Sequence, residues 1–139
     1  GALLGEAIVV RAPRIREFFR YNMKQRGALL AKGRAIGVQF RELFKDDLYG
    51  DLAQHAHALA ACLARGIRDA GYDFLVEPAT NQIFPILPDR LIAKLKEEYG
   101  FYVWSRVDAQ HSSIRLVTSW ATKPEAVDAF LTQLSRIPR

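Results

Sequence analysis

A chain of 139 residues has room for one domain or for part of a larger one. Half of its residues are hydrophobic and a quarter are charged, an ordinary globular balance, and no apolar run approaches the roughly 20 residues of a membrane-spanning helix, which argues against a membrane protein. The net charge of +5 is uneven: residues 1–45 hold ten Lys/Arg against three Asp/Glu, and residues 46–139 hold ten against twelve, so the positive field sits in the first third and suits an anion.

In chain order, Gly1-Ala2-Leu3-Leu4-Gly5 has no initiator Met, basic stretch or cleavage signal, and runs directly into a strand pattern at residues 6–10. Such an opening reads as a chain that starts in mid-domain, and a fragment is expected. Pro13 suits a first helical turn, and residues 14–22 continue helically with Ile15, Phe18 and Phe19 on one side. Gly27, Gly33 and Gly37 punctuate the next stretch, where each glycine costs a helix about 1 kcal/mol against alanine. A second helix is expected over 32–44. A turn follows at 46–50, with Asp46 or Asp47 as N-cap of a long helix over 48–70 that Gly71 stops. Residues 72–77 and 82–87 read as strands, 89–99 as a helix, 101–107 as a strand with alternating large residues and 114–120 as the returning strand. Thr122 and Glu125 have the spacing of a capping box for a last helix ending near Arg136. The expected fold class is α/β, built as an α+β fragment: linking helices, then a small antiparallel sheet covered by helices on one face. The expected division is 1–70 and 71–139.

Cys62, the single cysteine, excludes an internal disulfide and reads as a small buried hydrophobe in an Ala-rich run; a reducing, cytoplasmic setting fits. His55 and His57, two apart on a helix, face different ways and cannot share a metal, and His111 sits in a turn without an obvious partner, so no metal site is expected. No P-loop, zincin, dinucleotide fingerprint or Ser-His-Asp order is present. The basic candidates are Lys24, Arg26, Lys32 and Arg34. They are either a solvated helix surface or an anion site in which Gly33 admits a close backbone approach and Arg34 grips phosphate oxygens. Arg115 stands in the apolar run Ile114-Arg115-Leu116-Val117. It is either an edge-strand arginine reaching water along its stem or a fork for a carboxylate.

Four segments resemble the C-terminal part of the low-specificity L-threonine aldolases: Gly1-Ala2-Leu3-Leu4-Gly5-Glu6-Ala7, the run from Lys24 to Arg34, Thr80-Asn81-Gln82-Ile83-Phe84, and Ile114-Arg115-Leu116-Val117-Thr118-Ser119-Trp120. That family belongs to the β-eliminating lyases of the aspartate-aminotransferase fold. The resemblance implies pyridoxal 5'-phosphate as cofactor, cleavage of L-threonine or a related β-hydroxy amino acid to glycine and an aldehyde, and a homodimer or homotetramer in the cytoplasm. It implies substrate-carboxylate binding for Arg115 and cofactor-phosphate binding for Arg34. It also places the lysine that carries the cofactor about two residues ahead of Gly1, so the chain would need the upstream part of its protein, would hold no catalytic residue itself and would be inactive alone. The ring-stacking group, the aspartate on the ring nitrogen and the acid/base histidines of the family lie upstream too, and none of the three histidines here inherits their roles. The alternative from a different class is a small basic nucleic-acid-binding module built on residues 11–45; Phe18, Phe19 and Tyr21 at helix-core spacing, and the lack of a binding motif, argue against it.

Overall fold

The structure, a computed structural model, describes residues 3–136 and divides into two compact units, Gly1–Tyr49 and Gly50–Arg139. In the first, α1 (Pro13–Arg16) opens with Pro13 at its first helical position, where a missing N–H costs nothing. The helical run expected over 14–22 breaks after this turn and resumes as α2 (Phe19–Gln25). Gly27, in the left-handed region at φ 68°, ends α2, with the Gly27 N–H donating to the Lys24 carbonyl and the Ala28 N–H to that of Met23. The helix α3 (Arg34–Leu43) is the expected second helix, two residues shorter at its start.

Two expectations for this unit fail. Residues 6–10 pair with no strand, and Ile8 and Val9 are exposed; a strand pattern needs an edge to pair with, and no strand is present among the described residues of this unit. Asp46 and Asp47 cap nothing: both adopt positive φ, 50° and 58°, within a 3-10 turn (Lys45–Asp47), and neither carboxylate accepts a hydrogen bond. Asp tolerates the left-handed region better than most residues, which explains the pair at this reversal. Gly1 and Ala2, part of the opening segment that resembles the aldolases, lie outside the described residues.

The second unit is built on α4 (Leu48–Asp69), whose buried residues Ala56, Leu59, Ala60, Leu63, Ala64 and Ile67 recur every three or four positions. Gly71 stops it as expected, at φ 82°, with the Gly71 N–H on the Arg68 carbonyl and the Tyr72 N–H on that of Ile67. Four short strands follow: β1 (Gln82–Ile83), β2 (Ile86–Pro88), β3 (Tyr102–Arg106) and β4 (His111–Val117), with α5 (Asp89–Leu95) before β3 and α6 (Pro124–Arg136) last. Every pairing is antiparallel and every one is with β4: β1 and β2 along one side, β3 along the other. The expected strand over 82–87 is split because Pro85 has no N–H to donate. The strand expected at 72–77 shrinks to one bridge, Phe74 to Pro85, flanked by bonds from Leu75 N–H to Phe84 and from Ile86 N–H to Asp73. The returning strand starts three residues earlier than expected and ends at Val117, with Thr118 anchored by its hydroxyl to the Ala56 carbonyl of α4 at 2.7 Å.

Leu59, Leu63 and Ile67 of α4 meet Leu91, Ile92 and Leu95 of α5, Val127, Phe130 and Leu134 of α6, and Ile83, Leu87, Ile114 and Leu116 from the sheet. The helices thus cover one sheet face, the expected α+β arrangement. The capping box at Thr122 does not form. Its hydroxyl accepts the Ser119 N–H at 2.8 Å to close a turn, and Pro124 begins α6. The α4–α6 contact is set by Gly66, where an added Cβ would stand 2.6 Å from Leu131 Cδ2 and 3.0 Å from its Cγ. Gly66→Val is expected to destabilise the fold by about 1–3 kcal/mol in urea unfolding, through overpacking, and Leu131→Ala added to it should return part of that loss.

Candidate functional site

Arg115 stands on β4, which has neighbours on both sides, so the edge-strand reading of this arginine does not apply. Alternation along the strand decides where it points. Ile114 and Leu116 are buried in the core, and Arg115 projects from the opposite face. There its guanidinium carbon lies 5.2 Å from the centre of the Tyr102 ring and 5.7 Å from that of Trp104. Tyr102 is its partner across the β3–β4 pair. The register slips between Val103 and Ser105, which leaves Trp104 as an extra residue beside it, and the Phe84 ring packs on Trp104 at 5.2 Å.

The polar side of Arg115 is unfilled. Its Nε is buried without a hydrogen-bond partner, and no carboxylate among the described residues pairs with the guanidinium. A buried donor left unmade costs about 1–3 kcal/mol, and a charged one more. The two ring contacts return only about 0.5–2 kcal/mol each. The donor is therefore underused by the chain that carries it. Beside it opens a cavity of about 560 Å³, lined by Phe101, Tyr102, Leu116, Thr118, Val127 and Phe130 among others. It exists because β3 begins at Tyr102, opposite Arg115, so the last residues of β4 have no strand on that side. The cavity is largely apolar, and Arg115 is among its lining residues.

Arg34 is exposed at the first position of α3, with no partner among the described residues. The N-cap Gly33 has open space around it, so no backbone of the described residues approaches there. Lys24 lies in the last turn of α2 and Arg26 at its C-cap, where cations favour the helix dipole. Arg34 belongs to the first compact unit and Arg115 to the second. His55 makes a structural contact, its Nε2 2.8 Å from the Thr122 carbonyl, and the two bring α4 to the turn before α6. Cys62 is exposed rather than buried and accepts a hydrogen bond from Arg65, because its position falls between the buried stripe residues of α4.

His111 does have a partner. The Asp108 carboxylate accepts the backbone N–H of Gln110 at 2.7 Å and of His111 at 2.9 Å and meets the His111 ring at 2.9 Å. Tyr102 and Trp104 are the residues that sequence reading missed. Their signal was the alternation of large residues at 101–107, which marks a strand but not the face that receives Arg115.

The chain is 29% identical over 129 residues to the low specificity L-threonine aldolase of Pseudomonas aeruginosa, covering 91% of this chain and 36% of that protein. It superposes on a threonine aldolase of Leishmania major with a TM-score of 0.80 at 38% identity, over 84% of this chain and 34% of that one. It is similar to part of the threonine aldolases. A serine palmitoyltransferase of Sphingomonas wittichii (TM-score 0.56, 21% identity, 70% of this chain and 26% of that one) and a NifS-like protein (0.53, 24%, 73% and 30%) share its fold. The architecture is that of part of an aspartate-aminotransferase-like enzyme. No family model matches the chain, and it spans about a third of the length of the threonine aldolases it resembles.

The Asp108 carboxyl is held below its ordinary range, chiefly by the Gln110 N–H and then by the His111 side chain. A depressed carboxylate stabilises the fold at pH values above its unfolded pKa of about 3.9, and that contribution disappears as the pH falls through the lower folded value. In melting curves taken from pH 7 to pH 2, Asp108→Asn is expected to lower Tm by a constant amount above about pH 5, with the gap closing in acid.

Proposed function

We propose that this chain is part of a pyridoxal-phosphate-dependent lyase that cleaves L-threonine or a related β-hydroxy amino acid to glycine and an aldehyde. The observation that carries the reading is Arg115: a guanidinium fixed on a central strand, its Nε buried and unpaired beside a cavity, in a chain similar to threonine aldolases. We propose residues 1–70 as the end of a large domain with its linking helices and 71–139 as the small domain, α4 lending its apolar face to the small-domain core. The complete enzyme would be a cytoplasmic homodimer or homotetramer.

The residues present fit the amino acid and the cofactor in different ways. For the amino acid, the terminal N–H groups of Arg115, which no acceptor among the described residues takes, offer the two-point grip that a carboxylate needs. For the cofactor phosphate, Arg34 is an unpartnered cation at the start of a ten-residue helix, whose first N–H groups are free of helical acceptors. Pyridoxal phosphate, when bound, supplies an electron sink at the substrate Cα. Arg115 would hold and orient the substrate carboxylate from a fixed position on β4. The lysine that carries the cofactor belongs, in this reading, to the upstream part of the protein. The 139-residue chain alone is then inactive, and borohydride reduction with the cofactor present should place no stoichiometric label on any one of its lysines.

In the complete enzyme, Arg115→Leu is expected to cost several kcal/mol in kcat/KM for threonine while bound cofactor and Tm stay near wild type. Arg115→Lys should fare almost as badly, since one ammonium cannot reproduce a bidentate grip. Near-normal kinetics with a large fall in Tm would make Arg115 a structural residue instead. Arg34→Ala is expected to weaken cofactor retention by about 2–4 kcal/mol, read by dialysis and back-titration, with little change in turnover at saturating cofactor. Unchanged cofactor affinity with altered turnover would remove Arg34 from the phosphate.

A further inference from the structure

We propose that Tyr102 and Trp104 are positioning residues that keep the Arg115 guanidinium aimed for a carboxylate, a role that rests on the carboxylate reading of Arg115 above. An arginine side chain left free loses about 1.5–2 kcal/mol of rotamer entropy when a ligand first orders it. The usual anchor is an acidic neighbour, which would use up the N–H donors and neutralise the charge that the ligand needs. Arg115 has no such neighbour among the described residues. Its partners are two aromatic rings at 5.2 Å and 5.7 Å, within the range of cation–π attraction. Rings hold the cation through their electron-rich faces and take no N–H donor from it. The guanidinium is therefore ordered while its terminal N–H groups stay free of protein acceptors among the described residues.

The sheet is shaped to make this contact twice. Tyr102 meets Arg115 because the two are directly paired across β3 and β4. Trp104 meets it because of the irregularity in β3. With Val103 opposite Ile114 and Ser105 opposite Ser113, Trp104 is the extra residue, spared a cross-strand partner of its own. Phe84, in the gap between β1 and β2, packs on the Trp104 ring and keeps it there. Both rings remain more than half exposed, at 70% for Tyr102 and 54% for Trp104, so the core does not need them.

Steady-state kinetics with L-threonine on the complete, cofactor-loaded enzyme tests the assignment, with melting curves alongside. Tyr102→Leu and Trp104→Leu are each expected to raise KM about ten-fold, with a smaller change in kcat and Tm near wild type. Tyr102→Phe, which keeps the ring and loses the hydroxyl, should keep the wild-type KM. Arg115→Leu separates this role from the reading beneath it. An inactive Arg115→Leu enzyme beside Tyr102→Leu and Trp104→Leu enzymes with wild-type KM would overturn the positioning role alone. A fully active Arg115→Leu enzyme would overturn both. A fall in Tm at unchanged KM would assign the rings to sheet stability, and a Tyr102→Phe enzyme as impaired as Tyr102→Leu would assign the effect to the hydroxyl; either result overturns the proposal.

Discussion

The second unit depends on β4 being the strand that all the others pair with. Among the described residues β1, β2 and β3 each pair with β4 and not with one another, and the core-facing side chains of β4, Ile114 and Leu116, bind the sheet to the three helices. That double demand dictates what else β4 can carry. Because successive side chains alternate, committing 114 and 116 to the core commits 115 to the other face. A one-residue slip would bury a guanidinium among Leu63, Ile67 and Phe130, at a cost that no register-shifted pairing could offset. The packing of the core and the presentation of Arg115 are therefore the same constraint seen from two sides.

The helices hold β4 in place by polar as well as apolar means. The Thr118 hydroxyl, 3% exposed, donates to the Ala56 carbonyl of α4, and Asn81 donates through its side chain to the Thr118 carbonyl while accepting the Thr118 N–H. The strand end next to Arg115 is thus locked to α4 on one side and to the chain before β1 on the other, without relying on the missing half of the sheet. Close approach of α4 and α6 at Gly66 completes the layer, because a Cβ there would displace the Leu131 side chain. Rigid support of this kind under an underused cation is what a binding site needs: the cation cannot move far to find another partner.

The first unit follows a different logic. It has no buried residue in any of its helices, and its cations, Arg11, Arg14, Arg16, Arg20, Lys24, Arg26, Lys32 and Arg34, have no ion-pair partners among the described residues. Gly5 is its one tight point. At φ 109° it passes so close to α3 that an added Cβ would lie 2.8 Å from Ile36 Cγ2, and the Leu3 N–H reaches Gln39 of the same helix. Exposed apolar groups such as Phe18, Tyr21, Leu30 and Phe44 accompany the cations. Exposed apolar area and unpaired charge thus lie side by side on this unit.

Local rules were readable in the residues themselves. Pro13 starting a helix, Gly27 and Gly71 ending helices in the left-handed region, the 22-residue span of α4 and the antiparallel character of 101–107 with its return all follow from preferences that act over a few residues. The likeness to threonine aldolases was likewise carried by short segments, and it held up. The expected strands failed where they needed a partner distant in sequence, and the expected capping box failed to local competition. Residues 6–10 and 72–77 have strand composition, but a strand exists only where an edge is offered; Thr122 and Glu125 have the spacing of a cap, but the Ser119 N–H claimed the hydroxyl first. The sequence alone determined that Arg115 sits in an apolar strand. Only the tertiary structure decided that the strand is central, that Tyr102 and Trp104 meet the guanidinium and that its Nε is left without an acceptor, because strand order, the slip in β3 and burial are set by contacts between segments that no local pattern encodes.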